Sequence, residues 1–121
     1  MKKKDRDYII FLEDIFESAG RIEKYTKGFT KANLSKNQET QDAVIRRFEI
    51  IGEAVKNLPA GFKNNHKEID WRKIAGMRNV LIHEYFGIHI NRIWKTVKED
   101  IPDLKSKISK ILEESKKQIL F

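Results

Sequence analysis

The chain has 121 residues, enough to bury one hydrophobic core and little more, and no cysteine, which excludes disulfide scaffolds, thiolate zinc sites and a cysteine nucleophile. Forty per cent of the residues are hydrophobic and 36% charged, a balance that suits a soluble, highly charged helical protein better than a disordered one, because the apolar residues recur regularly. Lys and Arg number 25 against 18 Asp and Glu, so the formal charge is +7 and a polyanionic partner such as RNA is compatible with the surface.

Tyr8, Leu12, Ile15, Ala19 and Ile22 keep a helical spacing, and Ile9, Phe11 and Phe16 widen the stripe, so about Asp5 to Tyr25 is expected as one amphipathic helix. The Tyr8–Leu12 apolar run is broken at once by Glu13 and Asp14, too early for a signal peptide. No run approaches the roughly 18 apolar residues of a membrane span. A cytoplasmic protein without a membrane segment is expected. Thr26 to Lys36 reads as a loop pinned by Phe29 and Leu34. A second helix is expected from Ser35–Asn37, where Ser35 and Gln38 have capping-box spacing, to about Leu58, with Val44, Phe48, Ile51, Val55 and Leu58 on its apolar stripe. Gly52 in its interior costs helix propensity, and close approach of another helix is the expected compensation.

Pro59 to Ile69 reads as a loop. Asp70 is a good N-cap for a third helix, Trp71 to about Phe86, with Gly87 suited to end it. Asn91 is suited to cap a fourth, and Pro102 to sit in the first turn of a fifth. No alternating segment supports a strand. The expected fold is all-α, a four- to five-helix up-and-down bundle formed by a single domain over residues 1–121.

The chain lacks a glycine-rich phosphate loop, a His-Glu-x-x-His pair and a nucleophile elbow. Glu49 and Glu53 share a helix face, but the Glu-x-x-His partner motif of bundle metal sites is missing, so no metal and no cofactor are expected. His66 and His89 read as exposed residues without a role, and Trp71 and Trp94 as packing residues. What remains is Arg78-Asn79-Val80-Leu81-Ile82-His83-Glu84-Tyr85, four polar side chains in the most apolar helical segment. Groups of that kind are costly to bury without partners. A histidine can shuttle a proton near neutral pH, and an arginine can bind a phosphate and stabilise the charge growing on it. Arg78 and His83 fall about 140° apart on an ideal helix, so convergence needs the length of Arg78, a distortion of the helix, or a second subunit. A buried Asn-His and Arg-Tyr network that locks helix packing is the alternative, and spacing alone favours it.

Arg78-x4-His83-x-Tyr85 resembles the R-x4-H-x-Y motif of the HepT-like branch of the HEPN superfamily. Thr40–Ala54 looks like that family's second helix, and Ile69–Asn79 and Ile93–Pro102 follow its pattern at consistent spacing. The resemblance implies a dimerising HEPN-type bundle and a metal-independent endoribonuclease that serves as the toxin of a toxin–antitoxin module. Its partners would be an RNA substrate and an MntA-type nucleotidyltransferase antitoxin. Carried over by position, Arg78 and His83 are the catalytic pair, Asn79 a supporting polar residue and Tyr85 the acceptor of a silencing AMP. The competing reading is a non-catalytic helical subunit that binds a nucleotide or presents a partner surface to a nucleotidyltransferase.

Overall fold

The apolar stripes become the core. In a computed structural model, which describes the backbone over residues 3–83 and 90–120 and side chains over 8–78 and 90–117, helix α1 spans Lys3–Thr26 and buries Leu12, Ile15, Ala19 and Ile22 completely. Helix α3, Gln38–Asn57, buries Val44, Phe48, Ile51 and Val55 against it. Helix α5, Trp71–His83, packs on the other flank of α3, and α7, Ile101–Leu120, packs on α1. The result is an all-α up-and-down bundle, with no strand among the described residues.

Two stretches expected as loops contain short helices. Helix α2, Lys31–Lys36, is opened by a reciprocal capping box in which Thr30 and Asn33 bond each other's backbone N–H. Leu34 is fully buried, so the pinning role holds while the backbone winds rather than loops. The cap of α3 is Asn37, whose side chain accepts from Thr40 N at 2.9 Å, and not Ser35, whose hydroxyl donates to the Ala32 carbonyl at 2.7 Å. Buried Gln41 donates to the Leu34 and Ser35 carbonyls at the end of α2, groups that a helix terminus otherwise leaves unpaired. Helix α4, Ala60–Asn64, occupies part of the expected loop before α5. Asp70 caps α5 as expected, accepting from Lys73 N at 3.2 Å.

The fourth and fifth helices are continuous. Helix α6, Ile90–Lys95, passes through a π-helical stretch, Thr96–Asp100, directly into α7. Pro102 does sit in the first turn of α7. A proline there would drive its ring into the carbonyl four residues back in a regular helix. The wider turn relieves that crowding, and the Ile101 N–H reaches back five residues to the Thr96 carbonyl. A signal that reads as a helix start is met here by local widening, not by a break.

Candidate active site

The site begins at a glycine. Gly52 lies in the middle of α3, and a β-carbon added to it would lie 2.9 Å from the Arg78 Cβ and 3.5 Å from the Ala75 carbonyl oxygen. The expected close helix approach is therefore real, and it is centred on Arg78. The next residue on α3, Glu53, faces the guanidinium, and Arg78 Nη1 donates to Glu53 Oε2 at 2.6 Å. That length suits a charge-assisted bond. The pair is not sealed from water: the Arg78 side chain is 39% exposed and that of Glu53 54%.

Arg78 lines an open cleft of about 400 Å³ between α1, α3 and α5. Phe11 and Ile50 form its apolar edge, while Asp14, Arg46, Glu49 and Glu53 supply charge. Arg46 donates to Glu49 at 3.2 Å. Both glutamates weighed as a carboxylate pair are thus engaged by arginines, and among the described residues no three acidic or histidine groups gather at a spacing that could hold a metal. The cleft places a guanidinium at its wall, accessible from solvent. A phosphate entering it would compete with Glu53 for the same donors.

The remaining motif residues fall differently. The backbone of Asn79 and His83 belongs to α5, and their side chains lie outside the described residues, as does Tyr85 altogether. Helix α5 stays α-helical to His83, so the separation of about 140° from Arg78 is not reduced by a helix distortion. His66, expected to be exposed, is half-buried, with its ring centroid 4.6 Å from that of Phe62. Its carbonyl accepts from the buried Trp71 indole at 2.9 Å. Trp94 packs partly against the core with the Lys98 ammonium 4.7 Å from its ring centroid, a packing role as expected. His89 lies outside the described residues. Sequence reasoning missed Glu53 as the partner of Arg78. The available signal was Gly52: where two helices touch at a glycine, its neighbour is poised to meet the facing helix.

The profile of the family described as ribonuclease HepT-like matches residues 15–111. A protein of Thermococcus cleftensis named "Probable ribonuclease HepT" is 50% identical over 111 residues, covering 92% of this chain and 98% of the relative. A Caldanaerobacter subterraneus protein named as a candidate RNase is 41% identical, covering 88% and 95%. This chain belongs to the ribonuclease HepT-like family. A third relative, from Methanocaldococcus jannaschii, is 49% identical over 90% of this chain, which spans 49% of its length; its name joins a gamma-glutamylcyclotransferase to a candidate RNase. No solved structure gives a significant match. The family match contains Gly52, Glu53, Arg78 and His83 within one aligned span, and every lining residue of the cleft except Phe11 and Asp14 falls inside it. Among the described residues no helix is long and apolar enough to cross a membrane.

Proposed function

We propose that this chain is a metal-independent endoribonuclease, the toxin of a toxin–antitoxin module. The observation that carries the reading is the Arg78 guanidinium, held by Glu53 at the wall of an open cleft in a chain of ribonuclease family membership. Arg78 binds the scissile phosphate and stabilises the charge that builds on its non-bridging oxygens. His83 acts as general acid or base. The RNA 2′-hydroxyl loses its proton and its oxygen attacks the adjacent phosphorus. The bond to the 5′-oxygen breaks and that oxygen is protonated. The products are a 2′,3′-cyclic phosphate and a free 5′-hydroxyl, and no redox or metal-borne step is required.

Arg78 and His83 diverge on a regular helix, which supports a homodimer in which the pair converges from two copies of α5. Asn79 is the supporting polar group. Tyr85 is the acceptor for AMP from an MntA-type nucleotidyltransferase: seven residues after Arg78 in the sequence, an adduct there would bring bulk and negative charge to the motif that binds the substrate phosphate. The test is cleavage of unmodified RNA by the parent, Arg78→Ala and His83→Ala proteins. Each substitution is expected to slow cleavage about 10²–10⁴-fold. Variants as fast as the parent would overturn the assignment. Intact mass after co-expression with the nucleotidyltransferase should show added AMP that Tyr85→Phe abolishes.

A further inference from the structure

Gly76 lies in the interior of α5, and no packing among the described residues accounts for it. Among the described residues, a β-carbon built there meets no atom within 4 Å, in contrast to Gly52. An interior glycine weakens a helix relative to alanine. Its missing side chain therefore leaves room for something outside the chain. On the wheel of α5, Arg72, Gly76 and the backbone positions of Asn79 and His83 fall within about 60° of one another, one stripe that ends at His83.

Cations flank that stripe on both sides. One recess, about 620 Å³, is bordered by Lys63, Lys67 and Arg72. The other, about 410 Å³, is bordered by Lys73, Gly76 and Lys95. Each recess also holds a carboxylate, and both are engaged: Asp70 caps α5, and Asp100 accepts from the Lys73 ammonium at 3.1 Å. Each recess is lined by three cations against one carboxylate, so both walls keep a positive balance even with Lys73 paired to Asp100, and Gly76 leaves a gap beside them. We infer that this stripe is a track for single-stranded RNA, whose sugar–phosphate backbone passes over Gly76 between the two cationic walls toward His83. The inference rests on the ribonuclease reading above. A second copy of the chain is the poorer fit, because a two-fold contact through this stripe sets the same cations against themselves. A polyanion neutralises both walls at once and releases the counterions it carried.

The experiment uses the full chain and a fluorescent 2′-O-methyl RNA, which lacks the attacking hydroxyl, with binding followed by anisotropy across a salt series. Arg72→Ala combined with Lys95→Ala removes one exposed cation from each wall. Affinity should fall about tenfold, and the slope of log affinity against log salt should shrink by about 1.4, at about 0.7 for each lost single-strand phosphate contact. Gly76→Gln keeps every cation and favours the helix, yet should cost a similar loss of affinity by filling the gap. A parent that cleaves unmodified RNA while these variants bind with its affinity and slope overturns the track alone. A parent that neither binds nor cleaves RNA overturns the ribonuclease reading beneath it. If Gly76→Gln changes the oligomeric mass by light scattering and leaves RNA affinity intact, the stripe belongs to a second copy and the track is wrong.

Discussion

In the unbound chain the Arg78 guanidinium is already shared with a carboxylate, so a phosphate that reaches it has to displace Glu53. Two effects oppose each other there. Glu53 holds a long, rotamer-rich side chain in one place, and it also repels the anion that Arg78 is meant to bind. With both side chains more than a third exposed, the pair adds less than about 1 kcal/mol to stability. Its effect on an incoming polyanion is felt directly, because charge and ligand compete for one donor set. Repulsion is expected to dominate. Glu53→Gln, which keeps an acceptor and removes the charge, should lower KM for RNA several-fold and leave kcat and the melting temperature nearly unchanged. Steady-state cleavage kinetics decide it, since a raised KM would show that holding Arg78 matters more than freeing it.

At the scale of the elements, the two interior glycines of α3 and α5 predict opposite outcomes. At Gly52 a methyl would sit 2.9 Å from the Arg78 Cβ in a contact between two packed helices, so Gly52→Ala should destabilise by about 1–3 kcal/mol and reduce RNA cleavage by displacing Arg78. At Gly76 no described residue opposes the methyl, so Gly76→Ala should stabilise by about 0.5–1 kcal/mol. Urea melts of the two variants check both signs. The Lys73–Asp100 bond ties α5 to the π-helical stretch, and its hydrogen bond from Lys73 raises that lysine's pKa above the usual value. A folded pKa raised above the unfolded one adds stability that is present below the ordinary lysine pKa and lost only as pH rises through the raised value. The tether should therefore be insensitive to pH from neutral up to that alkaline window. Melting of Asp100→Asn against the parent should differ by a constant amount from neutral pH up to that window, less than about 1 kcal/mol with the Lys73 side chain 58% exposed, and converge within it.

These elements also show what the sequence could disclose. The stripes of α1 and α3 were legible because burial on one face imposes a period that survives in the residue order, and Leu12, Ile15, Val44 and Phe48 are all fully buried. The close approach at Gly52 was legible as an energetic anomaly in want of a reason. The Glu53 partner was not, since it lies 25 residues from Arg78 and only the docking of α3 on α5 brings them together. The continuity of α6 into α7 was hidden for a different reason: Pro102 carries the same signal whether a helix begins there or a π turn absorbs it.

At the scale of the whole molecule, the divergence of Arg78 and His83 becomes a statement about stoichiometry. Helix α5 is regular between them, and Arg78 is drawn toward α3, away from the arc on which the His83 backbone lies. If the proposed homodimer joins Arg78 of one copy to His83 of the other, two inactive proteins should complement. In a mixed dimer of Arg78→Ala and His83→Ala chains, one of the two composite sites receives both substitutions and the other receives neither. Random mixing makes about half of the dimers mixed, so activity should recover to about a quarter of the parent's. A site built within each chain gives no recovery, because every site then carries one substitution. Unfolding and refolding the two variants together, then measuring RNA cleavage against each refolded alone, separates the two arrangements. Recovery near a quarter requires sites shared between copies, while no recovery despite mixed dimers detected by mass would return both residues to a single chain and demand that Arg78 leave Glu53 to reach its histidine.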